Sequence, residues 1–157
     1  MFEPLKPGDY KTLKKRIAEN PLTEEEFLRE IKENIGAINF SNKIWLSGKL
    51  VNSKIKNKHD IIIKYSQSEK NRKKSLVHEV SHSYYNVLNG LINESRSVEN
   101  LIERETDKFY KNNKAIVDLY YNSLLVKWKK FGSPKCPECI VECFPKCAYS
   151  ALEIFSG

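Results

Sequence analysis

The sequence contains no long hydrophobic run. No segment approaches the roughly 18 to 20 consecutive apolar residues that a membrane-spanning helix needs, and the N-terminal sequence MFEPLKPGDYKTLKKR lacks the apolar centre of a signal peptide. Internal repeats and low-complexity tracts are also absent. From these absences we expect a cytoplasmic protein without a membrane span.

Positive charge is in excess but is not concentrated. The net charge of +7 is spread along the chain, and the densest local run consists only of Lys70, Arg72, Lys73 and Lys74. Clustered cations attract nucleic acid or acidic membranes, whereas scattered lysines are the usual mark of a solvated surface. A basic nucleic-acid-binding or nucleic-acid-processing protein therefore stays open as the alternative function.

Length and composition indicate one compact domain with a short appendage. The 157 residues include 40% hydrophobic and 11% aromatic residues, which is enough for a single modest core. The sharpest change in composition falls at Gly132-Ser133-Pro134, after which all four cysteines follow within a short stretch. We therefore predict a domain over residues 1–131 and a cysteine-rich segment over residues 132–157.

The first half of the domain combines helices with short strands. A first helix is expected around residues 10–19, and a second over residues 24–35, where Thr23 and Glu26 form a capping box and Gly36 closes the end. In the following segment, turn residues separate the β-rich stretches INF, IWL, KLV and DIIIKY. These stretches predict a small sheet of two to four strands.

The second half of the domain is helical. Helical periodicity continues from Ser68 to Gly132 with breaks near Asn89 and Asn112, which predicts three helices. The last of them carries apolar residues at the spacing of one buried face: Val117, Tyr120, Tyr121, Leu124, Leu125 and Trp128. The order of strands and helices predicts an α+β fold.

The helix after Ser68 contains the sequence His78-Glu79-Val80-Ser81-His82, an HExxH motif. Residues four apart lie one turn apart on the same face of a helix, so both imidazoles can reach one zinc ion. Glu79 is rotated away from the pair, which lets its carboxylate act on a water molecule at the metal. We predict that His78 and His82 bind Zn²⁺ and that Glu79 is the general base.

An alternative is that both histidines are ordinary polar residues of an amphipathic helix. Two of the chain's three histidines fall in this motif, however, and Leu76, Val77 and Val80 surround them. A buried helix has little reason to carry two imidazoles and a carboxylate at adjoining positions unless something compensates their desolvation. The metal interpretation is therefore favoured.

A catalytic zinc usually takes three protein ligands, and no third histidine follows His82. The next helix offers four acids: Glu94, Glu99, Glu103 and Glu105. Among these, Glu103 has another acid one turn later, Asp107, which could hydrogen-bond a zinc histidine and fix its orientation. We predict Glu103 as the third ligand and Asp107 as its supporting acid. Glu99 and Glu105 are the next choices, and a solvated acidic face is the alternative.

The motifs KSLVHEVSHSYYN and ERETDKFYKN resemble those of the ImmA/IrrE-type metallopeptidases, in which HExxH is followed by ExEAxxFA. Their spacing is also similar to that of the wider gluzincin clan, including the minigluzincins. The sequence departs from the family at Ser81, where glycine is common, and at Thr106, where alanine is usual. The resemblance implies that Glu103 binds the metal and that Asp107 supports it.

The resemblance also implies a zincin-like fold. In such a fold a small mixed sheet packs on the active-site helix, and a glutamate helix and a further buried helix follow. The implied activity is hydrolysis of a peptide or protein substrate by a zinc-bound water that Glu79 activates, with DIIIKYS as the edge strand that pairs with the substrate. Tyr84, Tyr85 and Tyr110 are candidates for stabilising the developing oxyanion, and packing in the core explains them equally well.

The four cysteines, Cys136, Cys139, Cys143 and Cys147, occupy the stretch CPECIVECFPKC. Their spacing matches neither paired CxxC knuckles nor the ferredoxin pattern, so a second metal site stands beside two short-range disulfides and free thiols as alternatives. We expect this segment to form a separate unit that does not supply the catalytic zinc ligands. A domain that keeps zinc only for stability, and a latent proenzyme whose termini cover the cleft, also stay open.

Overall fold

The structure is a computed structural model in which residues 2–5, 9–87 and 95–131 are described. Helices and strands follow one another in an α+β arrangement, as predicted. Their bounds are α1 (Tyr10–Glu19), α2 (Glu24–Asn34), β1 (Ile35–Ser41), β2 (Gly48–Asn52), β3 (His59–Lys64), α3 (Glu69–Tyr85), α4 (Ser95–Asn112) and α5 (Lys114–Phe131). None of these helices combines the length and the apolar character that a membrane crossing requires. The four cysteines and the predicted cysteine-rich unit lie outside the described residues.

The three strands form one mixed sheet in the order β1-β3-β2. β3 lies in the centre, parallel to β1 and antiparallel to β2. The prediction that DIIIKYS is an edge strand is therefore wrong, because neighbouring strands occupy both sides of β3. β1 and β2 are the edges of the described sheet. The predicted strand IWL is also wrong, since residues 44–46 lie in the connection between β1 and β2.

Helix α2 begins as predicted, with the Thr23 hydroxyl accepting a hydrogen bond from Glu26 N at 3.1 Å. Its end differs from the prediction. The helix ends at Asn34 and passes directly into β1, so Gly36 belongs to a strand. A Cβ atom at Gly36 would lie 2.5 Å from Ser53 Oγ, so this position requires glycine for close packing and not for a turn.

Helix α3 lies at the centre of the fold. Its residues Leu76, Val77 and Val80 are fully buried in the main hydrophobic core. The helix contacts β2 and β3 on one side and α2, α4 and α5 on others. Helix α5 contributes Val117 and Trp128 to the same core, which confirms its predicted buried face.

Arg72 fixes the start of α3 against the segment that follows β3 and against α5. Its guanidinium donates to the carbonyl oxygens of Tyr65 and Gln67 at 2.9 and 2.6 Å, and to the Tyr121 hydroxyl at 2.5 Å. It also lies over the Tyr65 ring, 4.5 Å from the centroid. Arg72 thus connects α3 with α5 and with the segment that follows β3. These contacts give the HExxH motif further along α3 a defined position relative to the sheet.

Candidate metal centre

His78 and His82 present their Nε2 atoms to one another across one turn of α3. The two atoms are 3.2 Å apart, and the ring centroids are 4.8 Å apart. This is the arrangement expected of side chains four residues apart on one helical face. The structure therefore brings together the two histidines that the sequence predicts as ligands.

The carboxylate that joins the two histidines belongs to Glu99 of α4. Its Oε1 lies 2.8 Å from His78 Nε2, and its Oε2 lies 2.9 Å from His82 Nε2. Within the described residues, these three side chains form a group whose donor atoms all lie within 4.8 Å of one another. The candidate third ligand is thus Glu99, one helical turn before the predicted Glu103.

Glu103 contacts the other side of the first imidazole. Its Oε1 lies 3.1 Å from His78 Nδ1, so it is placed to orient the ring rather than to bind the same metal ion. Asp107, the predicted supporting acid, instead forms an ion pair with Lys74 at 2.9 Å. Glu103 therefore occupies the orienting position that was predicted for Asp107, and Asp107 lies one turn beyond that position.

A backbone carbonyl orients the second imidazole. His82 Nδ1 lies 2.7 Å from the carbonyl oxygen of Val87, just beyond the end of α3. Because a carbonyl can only accept, Nδ1 carries the hydrogen, and Nε2 is the atom left to bind a metal when the ring is neutral. Sequence reasoning gave no indication of this contact, since a carbonyl carries no residue-type signal.

Glu105, the remaining acid considered as a ligand, lies away from the histidines. It is buried, and its Oε2 accepts a hydrogen bond from Leu22 N at 2.8 Å and from the Tyr85 hydroxyl at 3.4 Å. These contacts connect α4 to the start of α2 and to the end of α3. Glu105 therefore has a structural role in the position of α4.

Glu79 is buried beside the histidine pair, where α3 meets the first residue of β2. A Cβ atom added to Gly48 would lie 3.3 Å from Ser75 Cβ and 3.5 Å from Glu79 Cγ. Glycine at the start of β2 thus allows the strand to approach the helix closely at the carboxylate. This arrangement places Glu79 between the histidines and the edge strand.

The charges of the group stabilise one another. Burial by itself would lower the pKa of His78, but its contacts with Glu103 and Glu99 outweigh burial and raise that pKa to about 10. Burial would likewise raise the pKa of Glu99, yet hydrogen bonds from His78 and His82 hold it well below its usual range. The group attracts positive charge, which protons or a divalent cation can supply.

Burial dominates at Glu79. It raises the pKa of this carboxyl, although the adjacent imidazoles of His82 and His78 act in the opposite direction. A carboxylate whose proton affinity is raised in this way is a stronger base than an ordinary carboxylate.

The group opens into a cleft of about 360 Å³ between α3, α4 and the start of β2. Most of the residues that line the cleft are polar: Ser47, Asn71, Lys74, Ser75, His78, Glu79, Glu99, Asn100 and Glu103. Leu46 and Gly48 complete the lining. Both histidine-binding carboxylates and the buried Glu79 therefore face a space that a ligand can enter.

The tyrosines proposed to stabilise an oxyanion do not line this cleft. Tyr84 lines a second cavity, next to α2 and the β2–β3 connection. Tyr85 donates to the carbonyl oxygen of Asn20 at 2.7 Å, and Tyr110 donates to Asp118 at 3.3 Å. Their contacts support the alternative interpretation, in which these rings pack in the core.

The donor set fits a zinc ion. Four ligand atoms in a tetrahedron around zinc, each about 2.0 to 2.1 Å from the metal, lie about 3.3 Å from one another. The histidine nitrogens are 3.2 Å apart, and the carboxylate oxygens are 2.8 and 2.9 Å from them. The group can therefore accommodate the ion after small side-chain movements.

No protein-family model matches this sequence, and comparisons with curated proteins and with solved structures likewise find no match. The resemblance to ImmA/IrrE-type peptidases stays a prediction that depends on the quoted motifs. Function has to be inferred from the geometry of the site.

Proposed function

We propose that this protein is a zinc-dependent metallopeptidase of the gluzincin type, in which His78, His82 and Glu99 bind zinc and Glu79 is the general base. One observation carries the proposal: two imidazole nitrogens and a carboxylate converge beside a buried glutamate at an open cleft. Two histidines and one carboxylate are a common ligand set of hydrolytic zinc sites, which keep the fourth position open.

The side chains around the group are arranged to hold the ligands in one orientation. Glu103 at His78 Nδ1 and the Val87 carbonyl at His82 Nδ1 leave both Nε2 atoms directed at the same point. Outer contacts of this kind fix the tautomer of a ligand histidine and raise its basicity. The arrangement supports a metal site more strongly than the three ligand atoms alone.

A bound zinc ion would lower the pKa of a water molecule and polarise the substrate carbonyl. Glu79 accepts the proton of the attacking water and passes it to the nitrogen of the leaving amine. Its burial supports this role, because a raised pKa makes the carboxylate a better base. Among the described residues, the candidate metal group consists of His78, His82 and Glu99 and does not include Glu79, so the chemistry of Glu79 is separable from metal binding.

Gly48, at the start of β2, offers backbone groups to an extended peptide at the cleft. Lys64 N donates to Ser47 O at 2.8 Å and Ser53 N donates to Lys58 O at 3.0 Å, so Ser47 and Ser53 form hydrogen-bonded pairs across the β2–β3 ladder. Such pairs alternate along an antiparallel strand. Gly48 therefore directs its backbone N–H and C=O away from β3. Because Gly48 also lines the cleft, a peptide that binds these groups would pass beside Glu79.

Metal content and peptide hydrolysis measured on three proteins test the proposal. The wild type should contain about one zinc ion at this site per chain and cleave a mixed peptide library, as followed by mass spectrometry. Glu79→Gln should retain zinc and lose cleavage, whereas Glu24→Gln, an exposed change on α2, should retain both. Normal cleavage by Glu79→Gln would contradict the mechanism, and its loss of zinc would contradict the separation of base from ligands.

A further inference from the structure

Helix α3 ends in a turn that brings the chain back to the second histidine of the metal group. Asn86 adopts the left-handed conformation there, with φ 57° and ψ 46°, which asparagine tolerates better than most residues do. Its backbone N–H donates to Ser83 O at 3.1 Å, and the N–H of Val87 donates to His82 O at 2.9 Å. Because this turn reverses the chain, the Val87 carbonyl oxygen lies 2.7 Å from Nδ1 of His82.

The N-terminal segment, residues 2–5, contacts this turn. The Asn86 side chain donates from Nδ2 to Phe2 O at 2.7 Å, and Leu5 N donates to Asn86 O at 3.3 Å. The Phe2 ring also stacks on the ring of Tyr85, the last residue of α3, with the centroids 6.0 Å apart. Asn86 is therefore hydrogen-bonded both to its own helix and to the N-terminal segment.

The side chain of Val87 belongs to a small core that also includes α4, the helix that carries Glu99. Val87 is buried, and it shares this core with Val98, the residue next to Glu99. Phe2 and Leu5 of the N-terminal segment pack against the same core. The turn therefore has two connections to the metal group: its carbonyl contacts the second histidine, and its side chain packs with the helix of the third candidate ligand.

We propose that Asn86 is a positioning residue of the metal site and that the N-terminal segment holds it in place. The inference rests on the proposed function, because it takes the metal group to be a zinc site. Asn86 sets the direction of the Val87 carbonyl, and that carbonyl fixes the ring orientation of His82 and leaves Nε2 to the metal. Zinc binding and docking of the N-terminal segment should therefore stabilise each other.

Zinc affinities of full-length variants, measured against a chromophoric chelator, test the role of the turn. Asn86→Ala disfavours the left-handed conformation and should weaken zinc binding by about tenfold, the lower end of the range for partners that orient a ligand. Asn86→Gly adopts this conformation freely and should restore the affinity to within about threefold of the wild type. Asn57→Ala is the matched control, because Asn57 also has a positive φ, 64°, but lies in the β2–β3 connection outside the cleft lining.

Two outcomes of this comparison would overturn the positioning role. Asn57→Ala weakening zinc binding as much as Asn86→Ala would show a general loss of stability. An affinity that Asn86→Gly does not restore would show that the conformation of the turn is not the cause. The absorption bands of bound Co²⁺ give an independent measurement, because they report the ligand geometry. They should shift in Asn86→Ala and match the wild type in Asn86→Gly.

Hydrogen exchange of the wild type tests the part played by the N-terminal segment. Zinc should slow exchange of the Leu5 amide, which donates to Asn86 O, by several-fold. The Lys58 amide, which donates to Ile55 O in the β2–β3 connection, should change little. Equal slowing at both amides would overturn the coupling, since zinc would then stabilise the whole fold alike.

The positioning role and the proposed function can fail separately. The expected zinc affinities and Co²⁺ spectra in a protein that cleaves no peptide would support the role of Asn86 and overturn the peptidase. Unchanged zinc affinity and an unchanged Co²⁺ spectrum in Asn86→Ala, in a protein that cleaves peptides, would overturn the role of Asn86 and leave the proposed function standing.

Discussion

Glu103 lies 3.1 Å from Nδ1 of His78, on the side of the ring opposite to the Nε2 atom that Glu99 contacts at 2.8 Å. One imidazole is thus held between two carboxylates from the same helix, one turn apart. The inner carboxylate can share a metal ion with the ring, and the outer one can only orient the ring. This difference in position separates the expected effects of replacing them.

Replacing the two acids should weaken zinc binding to different extents. Glu99→Ala removes a ligand and should abolish zinc binding at micromolar metal, whereas Glu103→Ala should weaken binding by about 10- to 100-fold, the range for partners that orient a ligand. Competition with a chromophoric chelator measures both. Asp107→Ala is the control because its partner is Lys74, and it should change zinc affinity little. Stronger loss in Glu103→Ala than in Glu99→Ala would contradict the assignment.

The stability of the metal-free protein should fall as pH rises. The pKa of His78 is raised from 6.5 to about 10 in the folded state, so the folded protein binds this proton more tightly than the unfolded chain does. Its contribution to stability is full below the unfolded pKa and is lost as pH rises through the folded pKa. Thermal unfolding of the chelator-treated protein between about pH 6.5 and 8.5 should show a decreasing Tm.

Zinc should reverse this dependence on pH. Metal binding requires neutral imidazoles, so it displaces the His78 proton and becomes tighter as pH rises. In zinc buffered at a fixed free concentration, the increase in Tm caused by the metal should therefore grow across the same pH interval. The metal-free slope should be smaller in His78→Asn, which has no such proton. An identical slope with and without zinc would contradict the placement of the metal at His78.

A methyl group at Gly48 should disturb catalysis more than metal binding. The new Cβ would lie 3.2 Å from the Ile62 carbonyl oxygen and 3.3 Å from Ser75 Cβ, both closer than ordinary contact, so β2 has to shift slightly relative to α3, the helix that carries Glu79. A small misplacement of a catalytic group can reduce rates by roughly 10- to 100-fold. Gly48→Ala should thus lower kcat while zinc content stays at the wild-type level. Zinc loss in step with activity would indicate a general disruption of the fold.

Removal of the cysteine-rich segment should leave the histidine site intact. All three proposed ligands and Glu79 lie in α3 and α4, before residue 112. A chain that ends after Phe131 should therefore keep one zinc ion that is lost in the same chain with His82→Ala. Thiol titration of the full chain, denatured with and without reductant, distinguishes disulfides from thiols. Loss of the histidine-bound zinc on truncation would contradict the separation of the two segments.

Short sequence patterns correctly predicted those features that are formed by residues close to one another along the chain. The Thr23 cap of α2 and the pairing of His78 with His82 follow from spacing on a single helix. The order of the strands did not follow, because the apolar character of β3 indicates burial but does not say which strands lie beside it. The stretch IWL had the composition of a strand, yet its Trp45 is exposed in a loop.

The sequence could not show whether Glu99 or Glu103 is the third candidate ligand, for a different reason. Both acids lie on one face of α4, since four residues separate them. Which one meets the Nε2 atoms depends on how far α4 is displaced along its axis relative to α3. The segment between these helices, residues 88–94, lies outside the described part of the chain, and its sequence does not specify that displacement.

Buried Glu105 connects the start of α2 and the end of α3 to the helix that carries Glu99. The proposed metal site is divided between α3 and α4. It is therefore complete only while α4 is docked against α3. The apparent free energy of zinc binding then includes the free energy of docking α4 against α3 as well as that of coordination, because the ion binds only the docked form. Any substitution that loosens α4 lowers the apparent affinity for zinc without touching a ligand. The metal would in turn act as a cross-link that holds α4 against α3.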